Sequence, residues 1–183
     1  MLLGTFVAGP AWAQEDELSR LMAALAAIRE RRDRFTEERA IPELDLPLPN
    51  EGTLSWSAPD RLEKHTTSPI DERLTVAGGR LVYERADRDI RREFSLADQP
   101  EMQALVEAIR GTLAGDLPTL RRHYEVAFEG RHDGAWRLVL RPLSLRLRAS
   151  VQRILVTGQA DQPTGVDTEG NGSTTRMRIR PGP

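Results

Sequence analysis

Period-two alternation of apolar and polar residues, punctuated by proline and glycine turns, governs most of this chain after residue 50 and restricts it to an antiparallel sheet. The segment Gly52 to Pro69 reads GTLSWSAPDRLEKHTTSP. Leu54/Trp56 and Leu62/Lys64/Thr66 alternate on either side of Pro59-Asp60. Side chains of a strand point to opposite faces in turn, so each run has one apolar and one wet side, and the Pro-Asp pair sets a turn. The same pattern returns in Ile70/Glu72/Leu74/Val76, Gly78-Gly79 and Leu81/Tyr83, with Ile90/Arg92/Phe94 completing a meander. Tyr124/Val126/Phe128 and Trp136/Leu138/Leu140 flank a turn at Gly130 to Gly134. Val151 to Thr157 reads as a strand, and Val166 and Thr175/Met177/Ile179 pair across Gly170-Asn171-Gly172. Leu143/Leu145/Leu147 fits an irregular extension or a short helix.

Two segments follow a helical period instead. Leu18, Leu21, Met22, Leu25 and Ile28 form a stripe in an alanine-rich segment, predicting a helix over Glu15 to Arg34. Period two takes over from Phe35 to Ile41, and the proline-rich stretch Pro42 to Pro49 reads as a connector. A second stripe, Met102, Leu105, Val106, Ile109 and Leu113, has Asp98 as its predicted N-cap, Pro100 near its start and Gly115 to close it. Gly115-Asp116 reads as a helix stop followed by a capping acid. Roughly ten strands and two substantial helices without a βαβ pattern give the class α+β, one curved antiparallel sheet with helices.

Several function classes are excluded or unsupported. The 183 residues carry a formal charge of −2, and 39% of them are hydrophobic, which is neither a disordered composition nor the field of a nucleic-acid binder. All but one of the 26 basic residues are arginine, Lys64 being the exception. These arginines spread along strand faces, the mark of a solvated surface. His65, His123 and His132 lack metal-ligand spacing, no nucleophile elbow or phosphate loop is present, and no cofactor is implied. The chain is expected not to be an enzyme.

The first residues, MLLGTFVAGPAWAQ, form a short apolar run ending in Ala11-Trp12-Ala13, the small-x-small pattern of signal cleavage before Gln14. Residues 1–13 are therefore expected to be a signal peptide and 14–183 a single domain; the missing basic n-region leaves two alternatives open, a signal cut short at its start or an N-terminal core segment that is no signal. With no cysteine there is neither a disulfide nor a lipid anchor on a thiol, so the expected mature form is soluble and extracytoplasmic. A curled sheet must cover its concave face with side chains, helices or a ligand, and the residues alone leave a plain core and a lined cavity equally open.

The chain resembles the periplasmic lipoprotein carrier proteins of the LolA type, within a LolA-related branch. The resemblance rests on the opening helix, Phe35-Thr-Glu-Glu-Arg39, Gly52-x-Leu54-x-Trp56-x-x-Pro59-x-x-Leu62, Pro69-x-x-Glu72, Leu113-Ala-Gly-Asp116, the Tyr124 strand, Trp136-x-Leu138-x-Leu140-x-Pro142, and Ile154 to Gly158. It implies an unclosed β-barrel whose apolar concave face, lidded by helices, receives acyl chains of a lipoprotein, glycolipid or other lipid. It further implies a monomeric shuttle in a Gram-negative periplasm, taking cargo from an inner-membrane donor complex to an outer-membrane acceptor. A lipid-binding sensor or scaffold module is the alternative. The ligand-binding residues expected on this basis are Leu54, Trp56, Leu62, Leu74, Leu81, Tyr83, Phe94, Trp136, Leu138 and Leu140 on strands, with Leu105 and Ile109 on the covering helix. One departure stands out: such carriers have an arginine just before the proline, where this chain has Ala58, so a latch of that kind is missing.

Overall fold

Strand pairing in the computed structural model, which describes residues 11–40, 49–170 and 172–182, runs through one antiparallel sheet of eleven strands among those residues. In chain order they are β1 (Glu30–Ala40), β2 (Asn50–Ser57), β3 (Arg61–Ser68), β4 (Glu72–Ala77), β5 (Arg80–Arg85), β6 (Ile90–Ser95), β7 (Tyr124–Gly130), β8 (Ala135–Pro142), β9 (Val151–Gln159), β10 (Gln162–Gly170) and β11 (Ser173–Pro181). Their spatial order is β6-β5-β4-β3-β2-β1-β11-β10-β9-β8-β7. Two meanders, β1 to β6 and β7 to β11, therefore join along β1 and β11, and β6 and β7 are left as the open edges.

Four α-helices, α1 (Ala11–Ala27), α2 (Pro100–Leu113), α3 (Leu117–His123) and α4 (Leu145–Arg148), and two 3₁₀ turns, Ala86–Arg88 and Leu96–Asp98, complete the described chain. The stretch between the two edge strands is α2 and α3. The chain passes from one rim of the sheet to the other, and the packing of Ile109, Thr112 and Leu113 against Leu54, Val156, Val166 and Ile179 puts α2 over the apolar concave face as a cover. Leu18, Leu21, Met22 and Leu25 of α1 are all buried beside it, as their i, i+3, i+4, i+7 spacing requires.

The predicted first helix is too long. It ends at Ala27, and Glu30 to Arg34 belongs to β1. The helical stripe stops at Ile28, after which Asp33 and Phe35 turn inward while Arg32 and Arg34 stay exposed. A central position between β2 and β11 rewards that alternation with ladder hydrogen bonds on both sides. The N-cap of α2 is Gln99, without a side-chain capping bond; Asp98 is taken up in a 3₁₀ turn, Leu96–Asp98. Pro100 starts α2 with its φ already set and no N–H to satisfy. Asp116 does cap α3, its carboxylate accepting from the Thr119 N–H at 3.0 Å, and Leu145–Arg148 is the short helix of the two readings left open. The Pro42 to Pro49 connector falls largely outside the described residues, as does most of the expected signal peptide.

Gly115 ties the cover to α1. Its φ is +63°, and a Cβ there would lie 2.1 Å from the Met22 carbonyl oxygen, so only glycine lets the α2–α3 corner sit against that helix.

Candidate functional site

Opposite residues of an antiparallel pair share a face, so register decides what lines the concave side. From edge to edge the aligned rows include Phe94, Leu81, Val76, Leu62 and Trp56, then Phe35 and Ile179, and then Met177, Val166, Val156, Leu138 and Phe128. All ten strand residues expected from the sequence lie on this face. Leu54, Trp56, Leu62, Leu81, Trp136, Leu138 and Leu140 are buried in the core, and Leu74 and Phe94 pack against it. Tyr83 stands at the margin, its hydroxyl donating to Glu72 Oε2 at 3.0 Å.

The two helical residues part company. Ile109 packs on the sheet, whereas Leu105 is 37% exposed. The inward positions of that turn are Ala104 and Ala108, whose small side chains let α2 approach the sheet closely. Between them helix and sheet leave an apolar gap of only about 10 Å³, room for about one water. It is lined by Ile109, Thr112 and Leu113 on α2 and by Leu54, Val156, Pro163, Val166 and Ile179 below. Residues beyond the expected set thus belong to this interface. The β9 to β11 alternation carried the signal for Val156, Val166 and Ile179, while Thr112 carried none because its hydroxyl is satisfied by the Ala108 carbonyl at 2.7 Å within the helix.

Polar ties distinguish the two covering helices. At α1, His132 in the β7–β8 turn meets Glu17 Oε2 through its backbone N–H and its Nδ1, both at 2.8 Å, and Arg121 meets Glu15 at 2.8 Å. At the other end the Trp56 indole donates to the Ile28 carbonyl at 3.3 Å. For α2 the buried tie is the Tyr124 hydroxyl donating to the Ala104 carbonyl at 2.7 Å, beside an exposed ion pair at 4.0 Å between Glu101 in its first turn and Arg146 of α4. Glu107, buried on α2, is held by both forks of Arg110 on the same helix at 2.7 and 2.9 Å, which neutralises it without anchoring the helix elsewhere. Ala58 is half-buried, its N–H donating to the Arg29 carbonyl at 2.8 Å, and supplies no side-chain latch.

One end of the concave face is polar. Arg31, with 9% of its side chain exposed, reaches from β1 to the Asp161 carbonyl at 2.6 Å in the β9–β10 turn. Its Nε lies 3.9 Å from Asp33, which accepts from Gln162 at 3.3 Å. Burial pushes the Asp33 carboxyl up, against the Gln162 hydrogen bond and the Arg31 charge. The strut closes that end of the trough.

The histidines sit apart. His65 Nε2 is 2.9 Å from Asp71 on the convex face, His132 serves α1, and burial holds His123 below its ordinary value. Among the described residues no cluster of acidic and histidine side chains is arranged to hold a metal, and no helix is long and apolar enough to cross a membrane.

Comparison with known proteins adds the family. No curated protein sequence matches this chain. Solved structures similar to it include a LolA superfamily protein, NE2245 from Nitrosomonas europaea, at 10% identity and a TM-score of 0.45, covering 91% of each chain. A DUF1329 family protein from Desulfovibrio piger aligns at 13% identity and a TM-score of 0.43, over 94% of this chain and 92% of that one. LprF from Mycobacterium bovis aligns at 9% identity and a TM-score of 0.37, over 90% and 92%. The family described as outer membrane lipoprotein carrier protein LolA-like matches residues 9–177. An eleven-stranded open sheet with helices across its apolar face, together with a family match over nearly the whole chain, makes this protein a member of the LolA-like family.

Proposed function

We propose that the protein carries the acyl chains of a lipoprotein or lipid between α2 and the concave sheet, moving them through a periplasm towards an outer membrane without performing chemistry on them. The observation that carries this reading is the contrast between the two covers. A continuous apolar face is roofed by one helix tied at both ends through side-chain hydrogen bonds, and by another whose buried polar tie is one hydroxyl. The gap beneath α2 is far too small for an acyl chain, so loading is displacement of α2, which exchanges contacts of Ile109 and Leu113 for contacts with lipid. That exchange is nearly neutral because both are apolar.

Energetics require help at both ends. A chain of about fifteen methylenes gains on the order of 12 kcal/mol on leaving water, at about 0.8 per CH₂. A bilayer already provides most of that, so an inner-membrane donor must hand the lipid over and an outer-membrane acceptor must take it.

A covalent lock tests this. The chain has no native cysteine, so Ile109→Cys with Val166→Cys, which both line the gap, can be bridged directly by oxidation to a disulfide with no competing thiol. Each single variant, treated identically, should still take up a fluorescent fatty acid saturably, and the bridged protein should lose uptake while remaining folded by circular dichroism. Uptake unchanged in the bridged protein rules out loading under α2.

A further inference from the structure

We propose that the convex face carries a binding site for a phosphate-type oxyanion, centred on Arg34 and Arg180 where β1 meets β11. The convex face otherwise obeys a rule of opposite charges. Glu84 stands opposite Arg91, Glu129 opposite Arg137 and Glu169 opposite Arg153, and each is an ion pair. Arg178 reaches diagonally to Asp167. At the seam the rule breaks: Arg34 is directly opposite Arg180. Both are exposed, and neither has a carboxylate within ion-pair distance among the described residues. Like charges facing each other across a ladder destabilise a sheet, and an anion between them reverses the sign of that interaction.

The surroundings suit such an anion. An open hollow of about 450 Å³ lies over the seam, lined by Arg34, Thr36, Thr53, Thr67, Arg178 and Arg180 among others. Thr36 lies opposite Arg178, and Thr53 opposite Arg34, so hydroxyl donors flank the guanidinium forks. The Thr67 hydroxyl is already engaged with the Glu51 carbonyl at 3.2 Å. A planar carboxylate is satisfied by one fork, whereas a tetrahedral phosphate has oxygens for two forks and a hydroxyl together. The carboxylate lining the hollow is Glu51, which works against an anion and so gives the site an internal control.

The site stands independently of lipid carriage, being on the opposite face from α2. Its ligand is the phosphate of either a soluble ester or an anionic phospholipid headgroup. The test titrates inorganic phosphate calorimetrically at fixed ionic strength, which removes general screening. In parallel, co-sedimentation is measured with phosphatidylcholine vesicles with and without phosphatidylglycerol. The Arg34→Gln/Arg180→Gln double variant should bind phosphate about tenfold or more weakly than the unaltered chain, and Glu51→Gln more tightly. Circular dichroism and thermal melts verify folding, and without ligand the double variant should melt no lower than the parent, because it relieves a repulsion. Phosphate binding together with phosphatidylglycerol-dependent sedimentation, both lost in the double variant, identifies the headgroup as the source. Phosphate binding without sedimentation identifies a soluble phosphate. Absence of binding to either, or binding indifferent to all these substitutions, overturns the site.

Discussion

Tyr124 joins the floor of the sheet to the helix that covers it. It is 1% exposed, its ring is part of the concave floor, and its hydroxyl holds the Ala104 carbonyl of α2. Burial pushes its phenol far above the ordinary value, with the nearby Glu107 charge adding to the shift, so it remains a donor wherever the protein is folded. Ala104 keeps a helical partner if the hydroxyl is removed, so Tyr124→Phe should cost only about 1 kcal/mol, the net worth of one such hydrogen bond. It should nonetheless speed exchange of a bound acyl probe, measured by stopped-flow; a slower release would contradict the role given to α2. His123, next in the chain, carries a pH dependence. Its imidazole is held low by burial, with Glu107 opposing that shift and Arg122 reinforcing it. The unfolded chain therefore binds a proton near pH ~6.5 that the folded one refuses until lower pH. Stability should fall as pH drops through that window, and His123→Gln should flatten the slope in urea titrations at pH 7.5 and 5.5. Glu17 belongs to a lower window: the His132 hydrogen bonds hold its carboxyl below the ordinary glutamate range, so the α1 tether is lost only as pH falls through that lowered value.

Among elements, the strands were far easier to read from sequence than the limits of the helices. Leu54/Trp56, Leu81/Tyr83 and Trp136/Leu138/Leu140 announce their faces because one side of each meets the core and the other meets water. The register puts the apolar side of each of these runs opposite that of the strand it pairs with. The segment around Arg29 to Arg34 hid its strand, since an almost wholly charged run has no apolar side to display and its inward Asp33 is polar. Its partners β2 and β11 decide its structure, and pairing over long sequence separation is invisible to a local window. The short helix α3 was missed for a related reason: seven residues give too few turns for a stripe, and the cap at Asp116 is its main local signal. At Leu105 the helical period suggested an inward residue, yet Ala104 and Ala108 take that direction. Close approach selects small side chains, which a search for large apolar residues passes over. Trp136 offers the converse case: Gly158 opposite it leaves room for the indole, where a Cβ would lie 2.0 Å from the ring, so a strand glycine reports a large neighbour.

At the scale of the molecule, β6 and β7 are the unclosed rims, and the chain that joins them is the cover itself. Such a strap is anchored covalently at both sides, and when it lifts, its contour length limits how far. On the proposed carriage, capacity would depend on how much chain lies between the rims and not only on which side chains line the trough. Two glycines inserted between the exposed Asp98 and Gln99 would touch no lining residue and add roughly 7 Å of reach at ~3.5 Å per residue. The optimum in a series of saturated acyl probes should shift towards longer or more numerous chains, while an unchanged optimum would mean that the lining alone sizes the cargo. On the proposed carriage, a change in the length of an exposed linker, far from any contact with lipid, would be enough to alter what is carried.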